Sequence, residues 1–167
     1  MMYYILLSIF AYAALIIQST LPEVLSLAKM TPDIILILVT FNGIFDGARN
    51  GAIVGFGLGL LEDIYIGRFI GMKALIKCIA GFVSGRLTQG AFRENMLVPL
   101  LVVLLNSSMS VVLFFVLSRI LGEDWSLSFL YWKGLPEFIY TLCLVPVLYG
   151  PYFSFASGKD RNKEKDS

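Results

Sequence analysis

Two adjacent carboxylates, Glu62 and Asp63, interrupt the apolar stretch GAIVGFGLGLLEDIYIGRFIG that begins at Gly51, and two lysines, Lys73 and Lys77, follow closely. Acids in such a setting suit general acid–base chemistry, a cation or proton site, or charge pairing that holds helices together. Neighbouring residues on a helix diverge by about 100°, so Glu62 and Asp63 do not aim at one reacting atom and make a poor catalytic dyad. A proton relay or cation site stays open beside a structural ion pair, and the surrounding spacing favours the pair. Glycine occupies positions 51, 55, 59, 67 and 71, at a four-residue step, and Asp63 fills the one missing place. Asp63 therefore shares a helix face with Gly51, Gly55 and Gly59, while Lys73 and Lys77 share one with Gly81 and Gly85. If the hairpin turns near Arg68, both acids come level with Lys73 and Lys77 lies one turn deeper. The expectation is that Asp63 pairs with Lys73 or Lys77 across the hairpin, with Glu62 the less favourably placed acid.

The elements that must position these charges are membrane helices. Of 167 residues, 57% are apolar, 15% are charged and none is histidine, and mean hydropathy is +0.80. A soluble domain carries about one quarter charged residues. A spanning helix needs about 20 residues, which leaves room for roughly six. The predicted fold is an all-α integral membrane protein, a compact bundle of about six transmembrane helices. Residues 1–156 form a single polytopic domain and residues 157–167 a basic cytoplasmic tail. Predicted spans cover 3–21, 33–45, 51–66, 72–88, 96–121 and 135–153. The first lacks the basic leader and cleavage site of a signal peptide and is read as retained. Thr31, Pro32 and Asp33 supply a capping hydroxyl, a proline for the first helical position and an acid in the first turn, marking the start of the second span. Asp46, Arg49 and Asn50 then make a polar turn. Spans two and three are short for the hydrocarbon, so they imply thinning, shielding by neighbours or a re-entrant path.

With both termini in the cytoplasm, the inner side holds seven basic residues: Arg49, Arg86, Arg93, Lys159, Arg161, Lys163 and Lys165. The outer side holds five: Lys29, Arg68, Lys73, Arg119 and Lys133. That bias sets the predicted orientation, and the tail also suits anionic lipid. A net charge of +1 points away from nucleic acid. Gly51, Gly55 and Gly59 on one helix and Gly81 and Gly85 on the next form small-residue stripes that let backbones approach, as does the continuation through Gly67 and Gly71. Asn106, Ser107, Ser108 and Ser110 suit hydrogen bonds between helices better than a substrate site. Glu137 suits a helix N-terminus, Pro146 a kink, and Cys78 and Cys143 inert packing. No Ser–His, Cys–His, HExxH or phosphate-loop pattern occurs, so neither an enzyme nor a cofactor or metal site is expected.

The arrangement resembles the MreD family of the bacterial rod-shape, or elongasome, machinery. The residues that carry the resemblance are Pro32-Asp33, Gly47, Gly51, Gly55, Gly57, Gly59-Leu60-Leu61, Asp63, Gly67, Gly71, Ala74-Leu75, Gly81 and Gly85. The resemblance implies a non-enzymatic scaffold, multi-pass in the bacterial inner membrane, that binds the bitopic protein MreC. It also implies a place connecting MreB filaments with the RodA glycosyltransferase and its penicillin-binding transpeptidase partner. The family is similar in fold to the S-components of energy-coupling-factor vitamin transporters, and a substrate-binding subunit of that kind is the alternative. The first span lacks a clean small-residue docking stripe, and Trp125 and Trp132 sit where interfacial belts occur anyway. The scaffold is therefore the preferred reading, with the glycine stripes as seats for helix packing or for a partner.

Overall fold

The computed structural model describes residues 32–65, 69–89, 97–122, 137–150 and 152. Five helices lie among them: α1 (Ile34–Asp46), α2 (Ala48–Tyr65), α3 (Met72–Leu87), α4 (Leu97–Ile120) and α5 (Glu137–Gly150). The described residues contain no strand. The predicted first span, Gly67, Thr31 and the basic tail lie outside the described residues.

The start of α1 differs from the expected cap. Asp33, not Thr31, caps it: the Asp33 carboxylate accepts the Leu36 N–H at 2.8 Å, and Pro32 stands just before the helix. The Asp33 N–H donates to Thr141 Oγ1 at 3.0 Å, tying the start of α1 to α5. At the other end the expected polar turn shrinks to one residue. Gly47, at φ 89°, reverses the chain between α1 and α2 in the left-handed region that glycine enters without a Cβ clash. Arg49 and Asn50 consequently belong to the first turn of α2, and the Asn50 amide donates back to the Asp46 carbonyl at 3.2 Å.

Helix α1 is the centre of the bundle. Every residue from Ile34 to Ile44 is buried, as befits a helix that is apolar on nearly every side, with Thr40 and Asn42 the polar exceptions. Phe41 packs its ring against Tyr149 and Tyr152 at centroid distances of 5.9 and 5.3 Å, joining α1 to the α5 end. Val102 and Val103 of α4 and Val145 of α5 complete this core. Large apolar residues also face outward, including Ile53, Phe56 and Ile64 on α2, Phe82 on α3, and Leu101 and Val112 on α4. A surface of that composition suits lipid or a partner rather than water. Helix α4 spans 24 residues with a mean hydropathy of 2.5 and is, among the described residues, the one helix long and apolar enough to cross a membrane. Helix α1, at 13 residues, reaches only about 20 Å, short of a hydrocarbon core roughly 30 Å thick.

One buried amide ties three helices. Asn106 Nδ2 of α4 donates to Thr40 Oγ1 of α1 at 2.9 Å and to Ser84 Oγ of α3 at 2.7 Å. The Ser84 hydroxyl donates in turn to the Ala80 carbonyl at 2.6 Å. The neighbouring serines do not join this network: Ser108 donates to Leu104 within its own helix, and the hydroxyls of Ser107 and Ser110 make no hydrogen bond among the described residues.

The helical glycines separate into two kinds. A Cβ on Gly51 would fall 2.5 Å from the Gly81 carbonyl and 2.6 Å from Gly43 Cα, whereas one on Gly57 would meet none of the described residues within 4 Å. Gly57→Ala should therefore stabilise the fold by about 0.5–1 kcal/mol through helix propensity. Gly51→Ala should cost roughly 1–3 kcal/mol through overpacking. Thermal unfolding of both variants in detergent checks the pair.

Candidate functional site: a buried charge cluster at the hairpin

The site is assembled by backbone contact. Helices α2 and α3 lie antiparallel, with Gly51 against Gly81, Gly55 against Lys77, Gly59 against Lys73 and Ala74, and Gly85 against Gly47 and Ala48. At each of Gly51, Gly55, Gly59, Gly81 and Gly85 an added Cβ would come within 3.0 Å of backbone atoms of the facing chain. A packed bundle cannot absorb that overlap without moving the helices apart. Gly43 of α1 belongs to the same contact, facing the Gly81 carbonyl and Ser84. It continues the four-residue step backward through Gly47, a signal present in the sequence that the stripe beginning at Gly51 leaves out. Gly71 has a different role. None of the described residues lies within 4 Å of its would-be Cβ, and its φ of 100° makes it a turn residue before α3 rather than a packing glycine.

Continuing along α2 past Gly59, the close approach delivers both acids into the hairpin. Glu62 and Asp63 are each 1% exposed and Lys77 is 2% exposed. Glu62 Oε1 accepts from Lys73 Nζ at 2.7 Å, and Glu62 Oε2 pairs with Lys77 Nζ. Lys77 Nζ also reaches Asp33 Oδ1 at 2.9 Å. Lys77 of α3 thus joins the last turn of α2 to the cap of α1. Lys73 keeps about a third of its side chain exposed, at 31%.

The expected pairing of Asp63 with a lysine side chain is corrected by these contacts. Asp63 accepts three backbone hydrogen bonds instead: Oδ2 from the N–H groups of Gly71 at 2.8 Å and Ala74 at 3.1 Å, and Oδ1 from that of Lys73 at 3.2 Å. The reason is positional. On the glycine face, Asp63 arrives where α3 begins and where the first-turn N–H groups have no intrahelical acceptor. Its short side chain ends there, whereas Glu62, one methylene longer, reaches past the turn to the ammonium groups. The roles of the two acids are the reverse of those expected.

Asp33 as a partner of Lys77 is the residue sequence reasoning missed, having assigned it only to a helix start. The available signal was depth: Asp33 opens α1 at the same end of the bundle as the α2–α3 turn. Chemically, the arrangement is a closed one. Both Glu62 oxygens engage lysines, both Asp63 oxygens engage N–H groups, and Asp33 Oδ1 serves Leu36 and Lys77 together. The two neighbouring carboxylates diverge to separate partners, so the geometry favours holding helices together over proton transfer between acids.

A family model described as rod shape-determining protein MreD matches residues 1–157 of the chain. No curated protein and no solved structure matches it.

Because Lys77 is enclosed and shared while Lys73 is partly solvated, the two lysines should differ in worth. Lys77→Met should destabilise the bundle by roughly 3 kcal/mol, since it removes the partner of a buried acid. Lys73→Met should cost about 1 kcal/mol or less, as partly exposed pairs do. Detergent melting curves compare them, and equal losses would contradict the shared role of Lys77.

Proposed function

The chain belongs to the MreD family of rod shape-determining proteins, and from that premise we propose that it is a non-enzymatic membrane scaffold which binds MreC and helps couple MreB filaments to the RodA glycosyltransferase and its penicillin-binding transpeptidase partner. The family places the chain among inner-membrane components of the rod-shape complex. The observation that carries the reading is the extent of the family match, residues 1–157. The charge cluster supports it, because Glu62 and Asp33 engage lysines and Asp63 engages backbone N–H groups, an arrangement suited to holding helices together rather than to a reactive centre. In this reading the chain crosses the membrane several times, keeps both termini in the cytoplasm and uses its basic tail to favour that orientation and attract anionic lipid.

Where MreC docks is constrained by packing. Gly51, Gly55, Gly59, Gly81 and Gly85 are occupied by the α2–α3 contact, so a partner helix does not share that face. The outward face of α2 offers the alternative seat. There Gly57 stands in open space beside exposed Ile53, Phe56 and Leu61, a gap between large apolar side chains into which another helix can pack.

Affinity purification in mild detergent should recover MreC with this chain. Gly57→Leu should lower the recovered MreC several-fold while leaving the melting temperature of the chain unchanged or higher. Undiminished recovery would move the docking surface elsewhere, and absence of MreC from the unmodified preparation would contradict the scaffold reading.

A further inference from the structure

Helices α2 and α3 are unusual membrane spans, because neither would enter the bilayer readily alone. Among the described residues only α4 combines the length and hydropathy for an unaided crossing. Helix α2 has 18 residues and carries Glu62 and Asp63, and helix α3 has 16 and carries Lys73 and Lys77. Helices of that size are about 24–27 Å long, less than the roughly 30 Å of hydrocarbon, so charges near their ends do not automatically reach water. An unpaired charge at the centre of an isolated span lowers its partitioning into the bilayer on the order of 100-fold, and less toward the ends.

Each penalty is relieved by the other helix. Glu62 of α2 forms ion pairs with both Lys73 and Lys77 of α3. Asp63 of α2 satisfies N–H groups at the start of α3. The glycine contact that makes both possible runs the length of the pair, from Gly59 beside the charges to Gly85 at the far end. Asp33, the second partner of Lys77, lies earlier in the chain at the cap of α1 and is already made when α3 emerges.

We infer that α2 and α3 enter the bilayer and stay there as one hairpin, with neither able to span without the other. This rests on the membrane reading above. Formation of the Glu62–Lys77 pair and closure of the glycine contact are then part of insertion itself.

The test uses the full chain with Cys78→Ala and Cys143→Ala, and one reporter at a time. Ile70→Cys marks the turn, where Ile70 is 76% exposed, and Gln89→Cys marks the far end of α3. Newly made, pulse-labelled chains are probed with a membrane-impermeant maleimide from each side of the membrane. In the background chain the two reporters should label from opposite sides. Gly59→Leu makes α2 more apolar, so a helix that inserts by itself would be helped, whereas a hairpin that needs backbone contact fails. The expected result is a roughly tenfold or greater loss of Ile70→Cys labelling from its original side, with both reporters then on one side. Retention of opposite sides overturns the inference. Glu62→Lys keeps the glycines but sets a third cation beside Lys73 and Lys77, and should produce the same shift. An unshifted Glu62→Lys chain also overturns it. An unmodified chain recovered in the soluble fraction would instead overturn the membrane reading beneath it.

Discussion

Backbone-to-backbone contact between α2 and α3 is the constraint from which the rest of the described structure follows. In lipid, apolar side chains gain little by leaving one apolar surface for another, so helices associate where their atoms can come close. Gly51, Gly55 and Gly59 facing Gly81, Lys77 and Ala74 permit that approach, and Gly43 brings α1 onto the same surface. The distance so set decides what the charged residues beyond Gly59 can reach. Were the helices held apart by side chains, Glu62 would stop short of Lys77 and Asp63 would stop short of the first turn of α3.

The charges in turn close the bundle at that end. Desolvating a lone acid or ammonium costs several kcal/mol, and mutual pairing recovers it only when the remaining lone pairs and protons are also used. Here most are engaged: Lys77 spans Asp33 and Glu62, Lys73 takes the other Glu62 oxygen, and Asp63 accepts from N–H groups at the start of α3. Deeper in the bundle Asn106 does comparable work with uncharged groups, linking α1, α3 and α4 through Thr40 and Ser84. Polar contacts inside an otherwise apolar interior therefore join α1, α2 and α3 at one level and α1, α3 and α4 at another. For a family of rod shape-determining proteins, such rigidity suits a part whose proposed task is to hold others in place.

Much of this was legible in the sequence, for identifiable reasons. Apolar runs broken by Gly47, by the turn around Gly71 and by polar residues near 90 marked the helices from α1 to α4 within a few residues of where they lie. The four-residue step named the glycines of the α2–α3 contact because a repeat of about 3.6 residues keeps such positions on one face. What periodicity does not encode is reach. Glu62 and Asp63 differ by one methylene, and that length, together with the start of α3 beside Asp63, assigned lysines to one and backbone to the other. Nor does periodicity relate separate helices in depth, so Asp33 was readable as the start of α1 and not as a partner of Lys77. Gly57 resembled its neighbours in sequence, yet it faces outward, because position 57 falls half a turn from the stripe of 51, 55 and 59.

The most direct measurement of this account is a double-mutant cycle on the folding stability of the chain in detergent, pairing Glu62→Gln with Lys77→Met and, separately, Asp63→Asn with Lys77→Met. A Glu62–Lys77 ion pair buried by glycine contact predicts a coupling of roughly 1–3 kcal/mol in the first cycle and near-additivity in the second. Additive losses for Glu62 and Lys77, with the coupling residing instead between Asp63 and Lys77, would contradict it.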